Sequence, residues 1–167
     1  ELGLTTISLV PRAVDTLDVP VLAAGGIVDG RGLLAALALG AQGVTIGTRL
    51  LVTTECPIHD NLKQALVSAT EVDTLPILGS LRNTVRAWKN AAALRVAELE
   101  SLQADLGEIL SVVAGTATKR MYEEGDLNAG VIPCSQSIGI VHEIRPVANV
   151  IEGIVQEAAE ILGRLAA

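Results

Sequence analysis

Hydrophobic residues recur with two different periods along this chain. From Val19 to Val52 they form short continuous runs, separated by glycines and by one stretch of small residues. Val19–Ala24 reads as a strand whose core Val21–Ala24 ends on Gly25-Gly26, and Gly43–Ile46 as a second strand ending on Gly47-Thr48. Between them, Gly30–Leu39 has the composition of a helix, with Asp29 as its cap and Gly40 as its stop. Such runs suit strands buried on both faces, and two strands joined by a helix are parallel, with a right-handed crossover. Both glycine turns then fall on the same edge of the sheet.

Outside that stretch the spacing becomes helical. Thr5–Leu17 predicts a loop entering a short helix with Pro11 near its first turn, and Thr54–Ala69 a loop then a helix capped by Asp60. Thr74–Leu78 reads as an edge strand because Pro76 cannot donate to a ladder. The spacing Val85, Trp88, Ala92, Val96, Leu99 predicts a helix over Arg82–Gln103, and Asp105–Tyr122 predicts another. Gly125–Ser135 is a loop, and Gln136–Val141 is ambiguous. Pro146 opens a last helix with the stripe Val147, Val150, Ile151, Ile154, Val155, Ala158, Ile161, Leu162, Leu165. The expected architecture is α/β. About 1–55 forms barrel βα units, about 56–135 is mainly helical, and about 136–167 is a closing loop and terminal helix. A closed (β/α)8 barrel takes about 250 residues, so 167 residues with two good strands predict a partial TIM barrel, its C-terminal strands and helices, with the rest upstream of Glu1.

Composition narrows the function classes. The net charge is −7 and no basic patch is interleaved with aromatics, which argues against a nucleic-acid partner. No apolar run reaches the roughly 18 residues of a membrane span; Gly32–Ala41, the longest candidate, is broken by glycine. Cys56 and Cys134 lack metal or redox spacing and read as free thiols of a cytoplasmic protein, a disulfide being the alternative. The chain opens on Glu1 without a signal-peptide pattern, which suggests the carboxyl-terminal part of a longer product.

The candidate chemistry lies in the glycine turns. A phosphate needs several N–H donors converging at short range, and glycine lets backbone amides approach and tolerates positive φ. Gly25, Gly26, Gly47 and the Thr48 hydroxyl are placed for this; the alternative is that they only turn the chain. Arg31 and Arg49 are possible charge partners or solvated residues, with Arg49 expected to point away from Thr48. Trp88 reads as core rather than as a stacking platform, and Tyr122 is open between the two. His59 reads as solvated and His142 as packed or surface, and neither is expected to be the base. Glu123-Glu124 reads as surface. No metal ligand set is present.

Ala24–Ile27, Asp29–Gly32, Leu39–Ala41 and Gly47–Arg49 resemble the successive motifs of the nitronate monooxygenase family, related to flavin-dependent enoyl-acyl-carrier-protein reductases. Arg86, Asn90, Gly125-Asp126, Ala129-Gly130 and Ile144-Arg145-Pro146 extend the likeness. The resemblance implies a TIM barrel binding FMN, with Gly25, Gly26, Thr45, Ile46, Gly47 and Thr48 around its phosphate. Gln136 matches a family glutamine, though Ser135 stands where glycine usually precedes it. Leu50 replaces a frequent phenylalanine. The family's histidine base would lie upstream of Glu1, so no catalytic residue is assigned within the chain. The implied reaction is oxidation of alkyl nitronates with O2. The alternatives are reduction of an enoyl thioester by a nicotinamide donor, or an inactive half-barrel serving as a binding module.

Overall fold

The computed structural model describes residues 4–167. The elements run α1 (Thr6–Thr16), β1 (Leu22–Ala24), α2 (Gly30–Ala38), β2 (Gly43–Thr45), α3 (Thr48–Leu51), α4 (Asp60–Val67), β3 (Thr74–Ile77), β4 (Val85–Trp88), α5 (Ala91–Ser101), α6 (Leu106–Val113), α7 (Gly115–Glu124), a 3-10 helix (Gln136–Ile140) and α8 (Val147–Leu165). They divide into two compact units. One holds residues 4–55 together with Arg145–Ala167; the other is Cys56–Ile144.

The first unit is β/α. Strands β1 and β2 are parallel, with Leu22 opposite Gly43, Ala23 opposite Val44 and Ala24 opposite Thr45. Val10, Ala23, Ile27, Ala36 and Ala41 form its core. Asp29 caps α2, accepting from the Gly32 amide at 3.0 Å. Gly40, at φ 94°, ends the helix, and the Ala41 amide returns to the Ala36 carbonyl. Helix α8 lies along α2 so closely that a Cβ on Gly30 would sit 2.4 Å from the Ala158 nitrogen. Thr53 bridges Arg145 in parallel, and the Val147 amide donates to the Glu55 carboxylate at 3.0 Å. The chain therefore leaves this unit and re-enters it at neighbouring points. Among the described residues these two parallel strands do not close a barrel.

The second unit is built on an antiparallel pair, β3 with β4, with Thr74 opposite Trp88 and Ile77 opposite Val85. Residues 132–134 add to the free side of β4: the Trp88 amide donates to the Ile132 carbonyl and the Cys134 amide to the Arg86 carbonyl. This leaves β3, with its Pro76, at the edge, as expected. Ile77, Ala87, Ala93, Val96, Leu99 and Ile109 form the core.

Several elements differ from the sequence expectation. Helix α1 begins at Thr6, so Pro11 lies inside it; packing of Val10 into the core outweighs the lost hydrogen bond, which costs about 3 kcal/mol. The single helix expected over Arg82–Gln103 is β4 followed by α5, because Asn90 is extended and caps α5. The helix expected over Asp105–Tyr122 breaks at Ala114, which is also extended, giving α6 and α7. His59 rather than Asp60 caps α4, its Nδ1 accepting from the Asn61 amide. On α8, Val150, Ile154 and Ala158 are buried, while Val155, Leu162 and Leu165 are exposed, so only part of the apolar stripe is packed.

Candidate functional site

The paired register sets the site. Because Ala24 lies opposite Thr45, Gly25 and Ile46 leave the sheet side by side at its carboxyl edge. Gly25 and Gly26 take φ of 99° and 76°, a conformation glycine adopts without strain. The Thr6 hydroxyl donates to the Gly25 carbonyl at 3.3 Å and holds the first rim. A Cβ built on Gly26 or on Gly47 meets nothing within 4 Å, so the space in front of both rims is open. The second rim passes directly into α3, a single helical turn from Thr48, closed by the Leu50 amide on the Gly47 carbonyl.

Charge near the rims is already committed. Arg31 is held by Asp29, Nε to Oδ2 at 2.7 Å, and that hydrogen bond raises its pKa further. Arg49 is buried and donates to the Val52 carbonyl at 3.0 Å; it lies within the helical turn of α3, so the strand alternation expected to turn it from Thr48 does not apply. At the start of α2, the Gly30 amide donates to Glu157 Oε2 at 2.8 Å. Both arginines next to the rims in sequence are therefore engaged within the chain. A recess of about 240 Å³, bordered by Val14, Asp18, Pro20 and Gln42, opens at the amino end of β1, away from the rims.

In the second unit the chemistry-bearing residues have structural duties. Half-buried His59 caps α4 and its ring fills the space a Gly125 side chain would need. His142 is exposed. Cys56 and Cys134 are both free, and burial pushes the Cys134 thiol up to about 12. Burial, and secondarily the charge of Cys56, raises Tyr122. Trp88 is half-buried in β4 rather than on a helix, and Gln136 is exposed at the head of the 3-10 helix. Among the described residues no group of three or more His, Cys, Asp or Glu is placed to hold a metal, and no helix is long and apolar enough to cross a membrane.

Sequence reasoning placed Asn90 by resemblance but missed what it does. Its Nδ2 donates to the carbonyls of Leu127 and Gly130, both at 2.7 Å, while its Oδ1 accepts from the Ala93 amide. It missed the Glu157 contact with the Gly30 amide altogether. The only signal was Gly30, a glycine in a helix with no turn to make.

Two parallel strands ending on glycine rims, with a one-turn helix after the second, are the arrangement of β/α-barrel proteins that bind phosphate esters on the loops after their last two strands. The chain belongs to the nitronate monooxygenase family, whose match spans residues 2–157, a family of flavin-dependent oxidoreductases. A Rhodococcus jostii (3aS,4S,5R,7aS)-5-hydroxy-7a-methyl-1-oxo-octahydro-1H-indene-4-carboxyl-CoA dehydrogenase is 31% identical over 97% of this chain and 56% of its own. A probable nitronate monooxygenase of Staphylococcus aureus is 49% identical over 42% of this chain and 20% of its own. FabK of Thermotoga maritima superposes with a TM-score of 0.90 at 35% identity, over 98% of this chain and 51% of that one. FabK and the nitroalkane oxidase of Streptomyces ansochromogenes, which at 24% identity speaks to fold alone (TM-score 0.79, 97% of this chain and 46% of that one), are TIM-barrel enzymes. The chain thus spans about half the length of the solved relatives it matches.

Proposed function

We propose that this chain carries the phosphate anchor of an FMN-dependent oxidoreductase that oxidises small alkyl nitronates with O2 in the cytoplasm. The observation that carries the reading is the in-register pair of glycine rims, open in front and backed by family membership over residues 2–157. The residues fit the group: glycine at 26 and 47 leaves the approach to the main chain clear, and Gly25, Thr45, Ile46 and Thr48 frame it. The bound flavin supplies a two-electron sink for a carbanion-like substrate. The chain's own part is to bind and orient. Main-chain dipoles at the rims fix the phosphate end. No proton-transfer step is assigned to His59 or His142. Titrating FMN into the protein and its Gly47→Val and Thr48→Ala variants tests this. A loss of about tenfold or more is expected for Gly47→Val, since a valine side chain enters the open space, and a smaller loss for Thr48→Ala. Equal affinities would refute the anchor.

A second reading keeps the anchor and changes the substrate to an acyl thioester. It draws on the Rhodococcus relative, named for a carboxyl-CoA substrate and matched along 97% of this chain. NADH consumption with a crotonyl thioester, without turnover of nitronate, would select it.

A further inference from the structure

A glycine turn leading from a strand into a helix offers an anion two sets of donors. One is the amides of the turn itself; the other is the first-turn amides of the helix, at the positive end of its dipole. In this chain two amides of the second set are taken. The Gly30 amide donates to Glu157 at 2.8 Å and the Gly32 amide to Asp29 at 3.0 Å. Helix α8 also sits directly over this end. A Cβ on Gly30 would lie 2.6 Å from the Glu157 Cβ as well as 2.4 Å from the Ala158 nitrogen. Two carboxylates therefore face the amino end of α2, and the exposed Arg31 side chain hydrogen-bonds to Asp29. A second phosphate next to the first rim would meet negative charge, engaged amides and the backbone of α8.

We propose that Glu157, reaching from α8 to the amino end of α2, is a specificity-determining residue that limits the rims to one phosphate ester and rejects a pyrophosphate. The ligand class is a flavin mononucleotide, and a flavin adenine dinucleotide is excluded by charge and by closure of the helix end. This rests on the phosphate reading of the rims. It adds a cause that the rims themselves do not contain, since Gly26 and Gly47 are open to either ligand.

The protein and its Glu157→Gln and Glu157→Ala variants are titrated with FMN, FAD and riboflavin by flavin fluorescence, with circular dichroism as the folding control. Glutamine keeps an oxygen acceptor for the Gly30 amide and removes the charge; alanine releases that amide. The wild-type preference for FMN over FAD is expected to fall about tenfold in Glu157→Gln and further in Glu157→Ala, while FMN stays preferred over riboflavin. An unchanged FMN-to-FAD ratio in folded variants overturns the role of Glu157 and leaves the rims standing. Equal wild-type affinity for FMN and riboflavin overturns the rims, and this inference with them. A measurement on wild type alone decides the matter if both variants unfold. Inorganic pyrophosphate is expected to displace FMN no better than inorganic phosphate, and displacement at about tenfold lower concentration contradicts the proposal.

Discussion

Gly26 and Gly30 stand four residues apart and are glycines for opposite reasons. At Gly26 the demand is conformational, with φ of 76° and open space where a side chain would go. At Gly30 the demand is steric, since the backbone of α8 occupies that space. Gly26→Ala is expected to fold and to lose about 1 kcal/mol of stability to left-handed strain. Gly30→Ala is expected to lose more, about 2–4 kcal/mol, because backbone rather than a flexible side chain must move. Urea unfolding of both variants checks the order, and a Gly30→Ala variant as stable as wild type would contradict the packing. The two thiols also separate. Buried Cys134, with its pKa pushed up to about 12, is expected to resist alkylation at pH 8, while half-buried Cys56 reacts. Rapid modification of Cys134 in the folded protein would count against its burial. Gly25 and Gly26 were legible as turn glycines because they end an apolar run and both take positive φ, whereas Gly47, at φ −112°, has no such demand. Gly30 was read only as a helix start, since its neighbour Ala158 lies more than a hundred positions along the chain.

Caps explain which elements could be read. Asp29 before a run of small helix formers is a local signal, and the side chain does cap α2. Asn90 is a cap of the same kind, yet helical spacing from Val85 to Leu99 concealed it. In an antiparallel strand Val85 and Trp88 fall on opposite faces, so the apparent periodicity was an accident of where strand and helix join. Asn90 joins two elements through opposite ends of one carboxamide, and Asn90→Asp separates them. The remaining oxygen still accepts from the Ala93 amide, so α5 persists, while the donors to Leu127 and Gly130 are lost. Hydrogen exchange is expected to quicken over residues 127–134, including the Cys134 amide, with α5 unchanged. Uniform protection in wild type and variant would show that the loop holds without the clasp.

For the molecule as a whole, acid stability has a local source. Burial pushes the Glu100 carboxyl up, but hydrogen bonds from the Ser80 hydroxyl and amide and from the Leu78 and Gly79 amides outweigh it and hold the pKa below its usual 4.5. A carboxyl lowered on folding adds stability that is fully present above its unfolded pKa and is lost as pH falls through the folded value. The stability gap between wild type and Glu100→Gln is therefore expected to be constant above about pH 5.5 and to shrink on acidification below about 4.5. A gap that widens in acid would reverse the sign and contradict the assignment. The β/α character of the first unit and its parallel pair were legible from alternating runs and glycine stops. The strand–strand addition of residues 132–134 was not, because a segment carrying Pro133 has no strand signature of its own and is ordered by β4. The central claim, that main-chain amides at the two rims hold a phosphate ester, is tested most directly by amide NMR shifts on adding FMN and, separately, riboflavin. FMN is expected to shift the Gly26, Gly47 and Thr48 amides and riboflavin to leave them in place. Equal shifts with both ligands, or FMN-specific shifts confined to residues outside the rims, would contradict it.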